Sequence, residues 1–295
     1  MRIAFIGFGE AARAFVSTLR EQDGFTFCAF DRLLGTGASL EDPLRIAAAG
    51  LGVELAEDAA HAIRDADWVV SAVTASDSLD AARSVASHLA STQVFIDLNS
   101  VSSGRKRAAA ALVAENGAAY VDMAVMAPVH PRGHRTPVLL AGPACDGLSD
   151  TFRALGFEFS IVGDEIGSAT SIKMMRSLFV KGMEAVTVQT LLAAKAAGRF
   201  DEVYGSLAAS FPQLDWPKYA TYQLERVARH GVRRAAEMRE SAATLNELGF
   251  VPGHDLATAI ADFQAQIGEL DHVVDEAGGV AEFYESVLNR FRTAE

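Results

Sequence analysis

The chain has 295 residues, 50% of them hydrophobic and 22% charged, which is enough apolar material for two packed domains and excludes disorder as a global description. Its net charge of -12 repels phosphate backbones and anionic lipid headgroups, so nucleic acid and membrane surfaces are poor partners and a small molecule or another protein fits better. Cys28 and Cys145 stand far apart without C-x-x-C or zinc-like spacing, so both are expected to be buried small apolar residues rather than part of a disulfide or a metal site.

In chain order, short apolar runs at residues 3–6, 25–30, 68–73, 94–98, 119–124, 138–141 and 159–162 alternate with amphipathic, Ala-rich stretches. That rhythm predicts βαβ units around a largely parallel, doubly wound sheet. After Gly163 the strand-like runs stop and helical periodicity takes over, interrupted at Phe211-Pro212, Trp216-Pro217 and Val251-Pro252-Gly253. The expected organisation is an α/β domain over residues 1–164 and an all-α domain over residues 165–295. Residues 165–197 hold no Pro and few Gly, so one long helix is expected to join the halves. The N-terminal apolar run is too short for a signal-peptide core, and no run approaches bilayer-spanning length, so the expected location is the cytoplasm.

Directly after the first run comes Ile6-Gly7-Phe8-Gly9-Glu10-Ala11-Ala12, a G-x-G-x-x-A that opens a helix. Gly7 permits a tight turn, Gly9 leaves room for a pyrophosphate against the backbone, and Ala12 lets the helix pack close to the strand. The helix N-terminus then faces the phosphates. The first half is therefore predicted to be a Rossmann domain in which Gly7, Phe8, Gly9, Glu10, Ala11 and Ala12 receive a nicotinamide dinucleotide. Asp31, at the end of the next strand, suits the adenosine ribose hydroxyls and repels a 2′-phosphate, which favours NAD. Arg32 keeps NADP open, since a guanidinium at that edge can hold the 2′-phosphate. The segments after two further strands, Val73-Thr74-Ala75-Ser76 and Asp97-Leu98-Asn99-Ser100, lie at carboxyl ends where open α/β sheets bind ligands. Val73, Thr74, Asn99 and Ser100 thus join the cofactor candidates, with helix capping the alternative for Ser76 and Ser100.

The second informative stretch runs from Gly163 to Ser177. On a helix, Lys173, Arg176 and Ser177 fall at i, i+3 and i+4 and share a face with Thr170 and Val180. Burial beside a guanidinium would lower the Lys173 pKa and suit it to general acid/base work. A solvated Lys/Arg face of a surface helix is the alternative.

At these positions the sequence resembles the β-hydroxyacid dehydrogenases, the family of 3-hydroxyisobutyrate, tartronate semialdehyde and 6-phosphogluconate enzymes. The resemblance covers roughly residues 1–195. It is carried by Gly7-Phe8-Gly9, Asp97-Leu98-Asn99-Ser100, Tyr120-Val121-Asp122 with the loop after it, and Gly163-Asp164-Glu165-Ile166-Gly167 leading to Lys173. It implies that Lys173 is the catalytic lysine, exchanging a proton with the substrate oxygen while hydride moves to or from the nicotinamide. A homodimer through the helical domain, at residues 165–197 and 256–270, follows by analogy.

Two departures stand out. The family's Ser-Gly-Gly substrate loop is replaced by Val125-Met126-Ala127-Pro128-Val129-His130-Pro131-Arg132-Gly133-His134-Arg135, and the Asn usually four residues after the lysine is Ser177. Met126, Ala127, Pro128, His130, Arg176 and Ser177 are accordingly the substrate-binding candidates, for a substrate expected to carry a carboxylate. His130, Arg132, His134 and Arg135 form either a cationic cluster for an anion or an exposed loop. Arg233 lies near where the family often has a lysine approaching the nicotinamide, and can alternatively pair with Glu237 at i+4. An imine reductase, which generally replaces the lysine, and a non-catalytic NAD(H)-binding regulator are the competing readings.

Overall fold

A computed structural model describes residues 1–34, 42–250, 256–270 and 279–293. The chain divides into two compact units, Met1–Met174 and Met175–Glu295.

The first unit alternates strand and helix: β1 (Arg2–Ile6), α1 (Glu10–Leu19), β2 (Thr26–Phe30), α2 (Pro43–Leu51), β3 (Val53–Leu55), α3 (Ala59–Ile63), β4 (Trp68–Ser71), α4 (Ser78–Ala86), β5 (Val94–Asp97), α5 (Ser103–Ala114), β6 (Ala119–Val125), β7 (Val138–Ala141), α6 (Cys145–Ala154) and β8 (Phe159–Ile161). The strands form one sheet in the order β3-β2-β1-β4-β5-β6-β7-β8. Every pairing is parallel except β6 with β7, which is antiparallel. Because helices cover both faces, the strands read as continuous apolar runs, yet the pleat still sorts them. Ile3 and Phe5 pack in one core with Val16, Leu19, Trp68 and Phe152, whereas Ala4 and Ile6 pack in the other with Val69, Val85 and Phe95. Cys28 and Cys145 are buried free thiols, and burial pushes the Cys145 thiol up to about 12.

The connections leaving β1 and β4 run in opposite directions across the sheet, so their carboxyl ends open a crevice, the place where ligands of doubly wound sheets bind. The strand not expected from the sequence is β3, a three-residue edge with exposed Glu54 at its centre.

The long helix α7 (Ser168–Ala196) carries the chain across the division between the units. The second unit continues with α8 (Phe200–Ser210), α9 (Trp216–Glu247), α10 (Leu256–Gly268) and α11 (Val280–Thr293). Phe211 caps the end of α8 as expected, but Pro217 opens α9, where a missing N–H costs nothing. The break expected at Val251-Pro252-Gly253 lies outside the described residues. No helix among the described residues is long and apolar enough to cross a membrane.

Val188, Leu191, Leu224, Val227, Tyr284 and Val287 make one core of this unit, and Ala185, Met238, Leu245 and Ile260 another. There Arg234 grips Glu184 through Nε and Nη2, one donor to each carboxylate oxygen, and Gln264 Nε2 donates to the same carboxylate at 3.2 Å. The axes of α9 and α10 approach so closely at Gly231 that a Cβ there would meet the Gln264 carbonyl and lie 2.8 Å from Gly268 Cα. Both obstacles are backbone, so the helices themselves must part. Gly231→Ala should therefore destabilise the protein by on the order of 3 kcal/mol, read by thermal melting, despite the better helix propensity of Ala.

Candidate active site

The glycine turn is built on contacts that leave little choice of residue. Gly7 has φ +90, donates its N–H to Phe30 O at 2.8 Å, and would place a Cβ 2.5 Å from Ala72 O. Gly9 is the N-cap of α1, receives no side-chain cap, and a Cβ there would meet nothing within 4 Å. The N-terminus of α1 thus opens beside space that a side chain at Gly9 would fill, the arrangement that receives a pyrophosphate. Ala12 is fully buried, Ala11 half-buried and Glu10 exposed. Phe8, expected among the cofactor contacts, is instead a fully buried core side chain, and only its backbone faces the turn.

Asp31 ties that backbone down, since one carboxylate oxygen accepts the Phe8 N–H at 2.8 Å and the other the Leu33 N–H at 2.9 Å. Arg32 is exposed and paired with Asp77 at 2.8 Å, and the second Asp77 oxygen accepts from the Thr74 hydroxyl at 2.5 Å. Across the crevice, buried Asn99 splices the ends of β4 and β5: its Oδ1 accepts the Val73 N–H at 2.8 Å and its Nδ2 donates to Ser71 Oγ at 2.9 Å. The Asn99 carboxamide therefore shapes the crevice through Val73.

Below Ser100 lies a charged cluster that sequence reasoning did not assemble. Lys106 is fully buried, donates to the Asp97 carbonyl at 2.6 Å, and sits 3.1 Å from Asp97 Oδ1 and 3.3 Å from Asp122 Oδ1. Asp97 also accepts the Asn99 N–H at 2.8 Å and the Tyr120 hydroxyl at 2.7 Å. Burial, and then the Asp97 and Asp122 carboxylates, hold the Tyr120 phenol well above its usual range, so it stays a donor. The other Asp122 oxygen accepts the N–H groups of Gly167 and Thr170 at 3.2 and 3.1 Å, capping the start of α7. Thr170 Oγ1 donates to Val101 O at 2.5 Å, and Ser103 Oγ donates to Gly167 O at 3.0 Å. One turn further along α7, half-buried Lys173 donates to Ser100 Oγ at 2.6 Å.

Residues 2–143 match the NAD binding domain of 6-phosphogluconate dehydrogenase, and residues 194–267 match a domain of unknown function (DUF1932). A solved conserved hypothetical protein from Sinorhizobium meliloti 1021 is 35% identical, covering 100% of this chain and 97% of its own, with a TM-score of 0.74. The conserved protein MTH1747, whose structure shows similarity with 3-hydroxyacid dehydrogenases, is 28% identical over 91% of this chain and 97% of its own, with a TM-score of 0.68. The chain belongs to a divergent β-hydroxyacid dehydrogenase-like family. The 3-hydroxyisobutyrate dehydrogenase of Mycobacterium tuberculosis shares the fold at 15% identity, covering 99% of each chain with a TM-score of 0.69. The fold and family are those of NAD(P)-dependent oxidoreductases.

Against the β-hydroxyacid dehydrogenase pattern, the loop after β6 divides in two. Met126 is half-buried and donates its N–H to Pro137 O at 2.9 Å, while Ala127, Pro128 and His130 are exposed. Farther on, the loop is docked. His134 is fully buried, its Nδ1 2.7 Å from Thr18 Oγ1 and its Nε2 3.0 Å from Leu155 O. Burial, and secondarily Arg135, lower its pKa, which keeps the ring neutral. Arg132 pairs with Glu158, and Arg135 with Glu21 at 2.9 Å. The cationic cluster considered for residues 130–135 is thus not formed, because packing has claimed His134 and acidic side chains have claimed both arginines.

On α7, Arg176 is exposed and Ser177 buried. On α9, Arg233 is exposed, and Glu237 takes an ion pair from Lys181 at 2.8 Å. The open space above Gly9 gives a direct check on the pyrophosphate site. Gly9→Val should cost about 1 kcal/mol of stability at most, as a poorer N-cap, yet abolish NADH binding followed by nicotinamide fluorescence.

Proposed function

We propose that this chain is an NAD(P)-dependent dehydrogenase acting on a β-hydroxyacid-like substrate, with Lys173 as general acid/base. The observation that carries the reading is the 2.6 Å hydrogen bond from Lys173 to Ser100, at the carboxyl edge of the sheet where the glycine turn also opens. An amine there has a partner that fixes its direction, and a proton can pass between it and a substrate hydroxyl. When bound, the nicotinamide supplies the hydride acceptor or donor. The chain's own residues position the substrate and move the proton.

Arg176 and Ser177, at i+3 and i+4 from Lys173, are proposed substrate contacts, and so are half-buried Met126 and exposed Ala127, Pro128 and His130 after β6. Val73, Thr74, Ser100 and Arg233 are proposed cofactor contacts. NAD is favoured over NADP in this reading because Asp31, which follows β2, is the group proposed to meet the adenosine ribose, and Arg32 is already paired with Asp77. Retention of Lys173 weighs against the imine-reductase reading.

A homodimer in the cytoplasm completes the proposal. Ile172, Phe179, Met183 and Val186 form an exposed apolar stripe along one face of α7, at the spacing of a helix seam. Phe179→Glu should convert a dimer of the 31.3 kDa chain into a monomer by size exclusion with light scattering, and a wild-type monomer would remove the dimer from the proposal.

The central test is a spectrophotometric screen with NAD and NADP against short, branched, sugar-derived and aryl-substituted β-hydroxyacids. Lys173→Ala should lower turnover roughly 10²- to 10⁴-fold and leave NADH affinity within about twofold. Wild-type turnover in that variant would overturn the catalytic assignment.

A further inference from the structure

The two partners of the Lys173–Ser100 hydrogen bond arrive from separate elements, α7 and the end of β5, yet both lead back within a few bonds to one ammonium. One leg runs from Lys106 to Asp97, whose Oδ1 accepts the Asn99 N–H at 2.8 Å, and Ser100 is the next residue. The other leg runs from Lys106 to Asp122, whose second oxygen holds the Gly167 and Thr170 N–H groups of the first turn of α7. Lys173 lies three residues beyond Thr170, one turn up the same helix.

We infer that Lys106 is a positioning residue for the reaction, setting the distance between Lys173 and Ser100 by clamping the two carboxylates from which both are hung. The inference rests on the reading of Lys173 as the acid/base.

Three observations carry it. Lys106 is fully buried, and a buried ion pair generally adds less stability than apolar residues of the same volume, so its contribution lies in geometry. Asp122 divides its oxygens between the ammonium and the Gly167 and Thr170 N–H groups, whereas Asp97 Oδ1 takes both the ammonium and the Asn99 N–H while Tyr120 locks the other Asp97 oxygen at 2.7 Å. The site also tolerates little slack on the far side, since Gly167 has φ +103 and a Cβ there would lie 2.9 Å from Ser103 Cβ. A shift of the clamp is therefore transmitted to the start of α7.

The test uses the full chain bearing Lys106→Met, with Asp122→Asn as a second variant that keeps an oxygen to accept the Gly167 and Thr170 N–H groups. Folding is checked by thermal melting. Surface amines are dimethylated with ¹³C-formaldehyde and followed by NMR against pH, the Lys173 signal being identified by its loss in Lys173→Ala. In the variants, the Lys173 signal should move away from its wild-type position, while NADH affinity stays within about twofold. With any substrate found by the screen, kcat should fall on the order of 10- to 100-fold and its pH profile should shift. If Lys106→Met does not fold, Asp122→Asn decides. An unchanged Lys173 signal in a folded variant overturns the inference. Undiminished turnover in Lys173→Ala would instead overturn the acid/base reading, and a moved signal beside it would leave the clamp standing.

Discussion

Parallel pairing of β5 with β6 sets Asp97 directly beside Asp122, two carboxylates facing each other at the end of a buried sheet. Adjacent like charges in a dry environment cannot both be tolerated without a counter-ion. Lys106 is that counter-ion, delivered by the first turns of α5. With the charges balanced in this way, the two carboxylates organise backbone on both sides. Asp97 Oδ1 orders the segment from Asn99 to Ser100, and the outer Asp122 oxygen caps α7 at its entry. The crevice, the start of the interdomain helix and the candidate proton-transfer group therefore share a single electrostatic origin.

Much of this was legible in the chain. Continuous apolar runs gave seven of the strands because parallel strands buried on both faces need no alternation, and the G-x-G-x-x-A turn gave the crevice. The edge strand β3 escaped because a Val-Glu-Leu triplet is too short to show a period. Asp97, Tyr120 and Asp122 were noticed as marks of a family, but not as members of one cluster. The missing link was visible: Lys106 precedes Ala109, Ala110 and Val113 by three, four and seven residues and so lies on the buried face of α5. Inside Arg105-Lys106-Arg107 it reads as surface charge, and only the partners, distant in sequence, explain its burial. His134 misled for the same reason, since Thr18 and Leu155, which bond it, are far from it along the chain.

The helical unit shows how a polar core is made single-valued. Glu184 and Arg234 match planar fork to planar carboxylate, and Gln264 adds a third direction, so rotation of α9 against α7 or α10 would leave a buried charge unpaired. The close approach at Gly231 and Gly268 fixes the same crossing by sterics. Apolar packing alone accepts several rotations of a helix. Together these polar and steric constraints admit one.

The antiparallel turn from β6 to β7 makes its connecting loop both begin and end at the ligand-binding end of the sheet. Its return half is moored: Gly133 and His134 lie against α1, and both arginines are paired. In its outgoing half, Ala127, Pro128 and His130 are exposed. Inheritance can therefore act on the two halves independently. Replacements of Ala127, Pro128 and His130 touch none of these mooring contacts, so a lineage can explore new chemical tastes there without re-solving the folding problem.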